Sequence, residues 1–135
     1  MLVCTVDAQV LLLKRRQPVF WQSVTGSLEP EEVPLQAAVR ELAEETGLTG
    51  CTIVDCQHSE QFEISEHWRH KYAPDTRFNR EHVFLCRLPD TTSDIKLSRS
   101  EHTDFRWCDL ATAIEEVWSW TNKAALQRFV AGGNG

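Results

Sequence analysis

GSLEPEEVPLQAAVRELAEETGL, residues 26–48, is the stretch from which the rest of the chain can be read. From Pro34 to Thr46 the spacing predicts a helix, with Leu35, Ala38, Val39, Leu42 and Thr46 on one stripe. Pro34 suits its first turn and Gly47 its C-terminal stop. Within that helix Glu41, Glu44 and Glu45 stand at i, i+3 and i+4, which predicts a carboxylate face distinct from the one near Leu35, Ala38 and Leu42. Like charges so placed cost a few tenths of a kcal/mol per pair, so something should offset the repulsion. A hard divalent cation would: magnesium takes oxygen ligands from a few carboxylates and keeps waters that a phosphate can displace. Arg40 beside Glu44 adds a planar fork that can fix a carboxylate's orientation.

The plain alternative is a solvated acidic helix face. The spacing weighs against it. Gly26, Glu32, Arg40-Glu41-Leu42, Glu44-Glu45 and Gly47-Leu48 fall in a fixed arrangement. Leaving out the two leucines, with seven fixed identities at roughly one residue in fifteen each, a chance match in such a chain is on the order of one in a million.

Outward from this helix the chain alternates strands and turns. Val3–Val6 and Val10–Lys14 read as an opening hairpin across Asp7-Ala8-Gln9, and Phe20–Val24 as a short strand leading into Gly26. Thr52–Ile64, Glu81–Leu88 and Thr103–Cys108 read as further strands, with a polar loop from about Ser65 to Arg80. Asp109 is placed to cap a short helix through Val117, Asn122–Ala131 reads as a closing amphipathic helix, and the last four residues should fray. Strands interrupted by one helix and closed by another predict a mixed β-sheet covered by helices, of α/β (α+β) class, without Rossmann alternation. Neither GxxxxGK[ST] nor GxGxxG is present.

The 135 residues fit one domain, 1–135, and 41% hydrophobic with 25% charged residues is ordinary for a globular chain. No apolar run approaches the length of a bilayer span, and no secretory pattern is visible, so a cytoplasmic protein with no membrane partner is expected. Five cysteines without CxxC spacing predict reduced, mostly buried thiols. A net charge of -6 argues against non-specific nucleic-acid binding. Acids gather in 29–45, whereas His67, Arg69, His70, Lys71, Arg77 and Arg80 gather mid-chain, as suits a meeting of metal cations with a polyanion. The basic cluster is read either as solvated surface or as phosphate contact, since guanidinium groups pair with phosphate oxygens. His67 and His70 lack a third ligand for zinc, and no serine sits in a nucleophile elbow.

Residues 26–48 resemble the signature of the Nudix hydrolases, enzymes acting on a nucleoside diphosphate linked to another group. The resemblance implies an α/β/α sandwich whose signature loop and helix hold Mg2+, with Mn2+ as a substitute. It implies Glu41 and Glu45 as principal ligands, Glu44 as an additional one and the Gly26 carbonyl as a backbone ligand. Glu32 and Arg40 are then braces. Glu31 departs from the pattern, because many members carry glycine there; a stiffer loop with no ligand lost is expected.

A narrower resemblance lies in FWQSVTGS (20–27), DCQ (55–57), FEI (62–64), HWRHKYAP (67–74), SEH (100–102) and WSWTN (118–122). Together these look like the bacterial dihydroneopterin triphosphate diphosphatases. That likeness implies Glu101 as a further ligand from the opposite wall, and Arg15, Thr25, Phe62, Glu63, Ile64, Ser65 and Ser119 as substrate contacts. Trp107 is read as packing, whereas Trp118 and Trp120 are read as either packing or a stacking face. Either Glu44 or Glu101 is expected to orient or deprotonate the attacking water, with Arg40 supporting the site. The expected substrate is a small-molecule triphosphate. Competing readings are a Nudix pyrophosphatase of deoxynucleoside triphosphates or dinucleoside polyphosphates, and a non-catalytic nucleotide-binding domain. Oligomeric state is open.

Overall fold

The structure is a computed structural model that describes residues 1–25, 29–64 and 78–130. Six strands form one mixed sheet: β1 (Leu2–Thr5), β2 (Val10–Arg15), β3 (Trp21–Gln22), β4 (Ile53–Glu63), β5 (Phe78–Leu88) and β6 (His102–Cys108). The order is β3-β2-β1-β5-β4, with β6 also paired to β2. β1 runs parallel to β5, and the β1–β2, β2–β3, β2–β6 and β4–β5 pairings are antiparallel.

β1 and β2 show why the sheet needs a layer on each side. Along them Leu2, Cys4, Val10 and Leu12 enter one core, and Val3, Leu11 and Leu13 enter the other. Strands apolar on both faces must be covered on both. The first core takes Ala113, Val117, Ala125, Leu126 and Val130 from α2 (Leu110–Glu116), α3 (Trp120–Ala125) and their extensions. The second takes Leu42 from α1 (Pro34–Thr46) and Leu48 from just beyond it, with Ile95. The α/β/α sandwich expected from the sequence is the fold observed.

Element ends follow local chemistry. Pro34 opens α1, and Gln36 Oε1 accepts from Val33 N at 2.9 Å, which satisfies the N-cap backbone donor although Val33 has no side-chain oxygen to accept from the first turn in return. Gly47 closes it at φ 77°, where an added Cβ would lie 3.1 Å from Lys96 Cβ. Asp109 caps α2 by accepting from Thr112 N at 2.8 Å, as the sequence predicts.

Four expectations are corrected. Leu35 and Val39 are exposed, because the buried face of α1 is turned away from them; it is Ala37, Ala38, Leu42, Glu45 and Thr46. Glu45 therefore shares the apolar face instead of standing apart from it: seven residues after Ala38, it has turned two helical turns onto the same line. The closing helix starts at Trp120 and widens into a π-helical turn, Leu126–Val130, that buries Leu126 and Val130. β5 begins at Phe78, inside the expected loop. No helix among the described residues is long and apolar enough to cross a membrane.

Glu31 adopts φ 65°, the left-handed region that favours glycine. The departure from glycine there strains the turn before α1, and the expected stiffening is a strain. Left-handed backbone costs a side-chain-bearing residue ~1 kcal/mol, and glycine's extra chain entropy returns about half of that. Glu31→Gly is expected to raise the melting temperature by about 2 °C with activity unchanged, as read by calorimetry and turnover.

Candidate metal centre

Glu45 lies at the bottom of the site, 1% exposed. Its Oε1 is 3.5 Å from His102 Nε2, and its Oε2 has no hydrogen-bond partner among the described residues. Glu45, Glu101 and His102 present ligand atoms that all lie within 4.8 Å of one another. Burial first, then the charge of Glu41, then that of Glu101, push the Glu45 carboxyl up to about 9. A carboxylate that burial and two acidic neighbours hold protonated is a group awaiting a cation. The orphaned Oε2 is the atom a hard cation would take, so the donors fit a divalent metal.

Arg40 organises the approach. Its Nε and Nη2 donate to Glu32 Oε2 and Oε1, both at 2.9 Å, a bidentate fork from α1 to the signature loop. Its Nη1 donates to Glu41 at 2.7 Å and to Glu44 at 3.3 Å. Glu32 also accepts from Glu29 N at 2.8 Å, and the Arg40 fork with this backbone bond holds its carboxyl down at about 2. These bonds tie the signature loop to α1. The Glu44 side chain, by contrast, is 57% exposed and faces Arg40 on the outer rim.

The second wall comes from β6 and the turn before it. Glu101 immediately precedes β6, and its carbonyl accepts from Arg16 N at 2.9 Å, tying the turn to the end of β2. Across a register shift, Arg15 pairs with His102. The Arg15 guanidinium lies 5.8 Å from the Phe20 ring centroid, and Phe20 stacks on Trp118 at 4.9 Å and 15°. A cation and two stacked rings thus lead outward from beside the carboxylates. Ser119 follows Trp118 and caps α3 by accepting from Asn122 N, while its hydroxyl lies 2.7 Å from that of Thr121. Asn122 is locked to Ser23 by two bonds of 2.9 Å, which anchors the chain just before exposed Thr25. Phe62 and Glu63 end β4, half-buried and exposed respectively, and Ile64 is buried. Gly26, Ser65, and His67, Arg69, His70, Lys71 and Arg77 of the basic loop lie outside the described residues.

A model of the NUDIX domain family matches residues 1–129. The chain belongs to the Nudix family. Enzymes of this family generally use divalent cations and act on small phosphorylated substrates, in keeping with the donor set on α1 and β6. This Nudix chain is 41% identical over 127 residues to the dihydroneopterin triphosphate diphosphatase of Escherichia coli (strain K12), covering 90% of this chain and 83% of that one. It is 38% identical over 134 residues to the Haemophilus influenzae protein of the same name, covering 95% and 83%. Its fold matches the structure of the E. coli dihydroneopterin triphosphate pyrophosphohydrolase with a TM-score of 0.89 at 39% identity, covering 97% and 92%.

Sequence reasoning missed His102 and Gln22 in this Nudix site. Gln22 Nε2 lies 3.2 Å from His102 Nε2, and both residues are buried. The signal was present in SEH, where a histidine directly follows the wall glutamate, but a lone histidine at a strand end is ambiguous until its neighbours across the sheet are known.

Proposed function

We propose that the protein is a Mg2+-dependent hydrolase that converts dihydroneopterin triphosphate to dihydroneopterin monophosphate and pyrophosphate, a step toward folate. The observation that carries this reading is the buried Glu45 carboxyl, with its unpartnered Oε2 set beside Glu101 and Glu41, on the signature helix of a Nudix chain. Glu41, Glu45 and Glu101 would hold Mg2+ or Mn2+, with Glu44 at the rim and the Gly26 carbonyl as further donors. When bound, the ion neutralises charge on the transferred phosphoryl group and acidifies its water.

The chain's own groups do the rest. Glu101, inside the cluster and exposed on one side, is better placed than rim-bound Glu44 to accept the water's proton. Arg40 positions Glu41 and the signature loop. Arg15 meets the phosphate chain from the end of β2. The Phe20–Trp118 stack offers a flat apolar face for the ring, since offset aromatic stacking adds about 1 kcal/mol to area burial. Hydrogen bonds from Thr25, the Phe62–Ser65 stretch and Ser119 would complete recognition of the ring edge.

Selectivity must come from those contacts, because a metal site by itself hydrolyses many phosphoanhydrides. Dihydroneopterin triphosphate is expected to exceed dATP in kcat/KM by at least ~10-fold, about 1.4 kcal/mol of differential transition-state binding. A screen of triphosphates with magnesium, with products identified by mass, measures it. Parity between the two substrates would shift the assignment to a nucleotide pyrophosphatase with the same metal chemistry.

A further inference from the structure

Within that metal-dependent reading, on which this inference rests, we propose that His102 is a positioning residue. Its Nε2, which Gln22 and Glu45 both approach, anchors one carboxylate oxygen of Glu45 so that the other is presented to the cation beside Glu101. Three observations carry it.

First, the contact is built from buried groups. Gln22, His102 and Glu45 are 7%, 1% and 1% exposed, and His102 Nε2 on β6 is met by Gln22 Nε2 from β3 at 3.2 Å and by Glu45 Oε1 from α1 at 3.5 Å. The register shift between Lys14 and Arg15 falls where β2 meets His102, and such irregularities re-aim a side chain. Second, the two oxygens of Glu45 are unequal. Oε1 faces the ring, and Oε2 has no partner among the described residues. A glutamate's terminal torsion is broad and nearly two-fold, so a carboxylate with no anchor would not present one oxygen in a fixed direction.

Third, the tautomer follows from the surroundings. His102 Nδ1 is buried without a partner among the described residues. If Nδ1 carried the hydrogen, a buried donor would be wasted, which is costlier than an idle acceptor. An amide's nitrogen and oxygen exchange by a simple flip, so Gln22 can turn its carbonyl oxygen to the ring. The hydrogen then sits on Nε2 and is shared between Gln22 and Glu45 Oε1. Direct ligation of a metal by Nε2 would require it to give up both contacts. Histidine is therefore the holder of a ligand and is not itself one, the arrangement by which outer groups orient metal-binding carboxylates.

The experiment compares His102→Leu, His102→Gln and the parent by calorimetric titration of the purified protein with Mg2+, alongside kcat and KM at saturating Mg2+. His102→Leu is expected to weaken Mg2+ binding ~10–100-fold, with substrate KM little changed and cooperative unfolding retained. His102→Gln puts an amide N–H near the position of Nε2, so it should recover Mg2+ affinity to within about 3-fold of the parent, on the same scale. Parent-like Mg2+ binding in His102→Leu overturns the proposal. So does equal impairment of the Leu and Gln variants, which would mark a packing role. A far larger loss for Mn2+ than for Mg2+ also overturns it, because a softer cation's preference would reveal the ring nitrogen as a ligand. Should His102→Leu fail to fold, Gln22→Leu removes the other anchor: weaker Mg2+ binding supports the proposal and unchanged binding overturns it. Glu45→Gln in the same titration separates the two levels of inference. If it binds Mg2+ like the parent, the metal assignment itself fails and His102 loses its role with it; if only His102→Leu is parent-like, the failure is confined to His102.

Discussion

Glu45→Gln is expected to abolish most hydrolysis while making the metal-free protein more stable. The activity loss should be at least ~100-fold, the scale of removing one strong preorganised electrostatic contribution. The stability gain has a different origin. In the folded metal-free chain burial and the neighbouring Glu41 hold the Glu45 carboxyl up at about 9, against 4.5 as its ordinary value. Between those values the folded state keeps a proton that the unfolded chain releases, so parent stability falls as pH rises from about 4.5 to about 9. Glutamine has no proton to lose. The variant's advantage should be near zero at pH 4.5 and reach at least ~5 °C in melting temperature by pH 8. Magnesium should reverse the order, because it stabilises only a chain that binds it. Calorimetry across pH with and without Mg2+, beside turnover, checks all of this. Near-parent turnover, or a melting temperature below the parent's at pH 8 without metal, would remove Glu45 from the centre of the site.

Arg40→Ala is the second large effect. Its guanidinium holds Glu32 through two bonds of 2.9 Å and Glu41 through one of 2.7 Å, so its loss frees the signature loop and leaves several carboxylates facing one another. A drop of ~10–100-fold in kcat/KM is expected, the range seen when the support of a metal ligand is removed. Arg40→Lys should recover only part of it, because an ammonium supplies the charge without the fork. The same change alters acid tolerance. The Arg40 fork with the Glu29 backbone bond holds Glu32 ionised down to about 2, and its contribution to stability is present above the ordinary value of 4.5 and is lost as pH falls toward 2. Without Arg40 that contribution should be missing at neutral pH, and the difference from the parent should shrink on acidification. Full recovery by lysine would show that charge, not geometry, is what the site requires.

The behaviour of these two residues separates what was legible in the chain from what was not. The identities and spacing of residues 26–48 were enough to give the α1 helix and its two stops, which depend on neighbours a few residues away that local backbone geometry relates directly. The same stretch gave the family by resemblance, but the fork of Arg40 was read beside Glu44, and only the fold brought it to Glu32. A mixed sheet covered by helices was also readable, because strands interrupted by one helix and closed by another need helical cover, and the family resemblance implied the sandwich. Spacing on a helical wheel did not say how α1 is turned against the sheet. Leu35 and Val39 belong to the stripe by periodicity yet face outward, since the buried face runs through Ala37, Ala38 and Leu42. Glu45, expected on a carboxylate face apart from the apolar one, lies on that buried face. The left-handed backbone at Glu31 and the contacts of His102 with Gln22 and Glu45 were equally out of reach. Gln22, Glu45 and His102 come from three elements, up to 80 residues apart, and meet only when β3, α1 and β6 converge. The sequence by itself determined which groups could bind a cation; tertiary packing decided which of them is desolvated enough to need one, because burial depends on the distant strands that close over it.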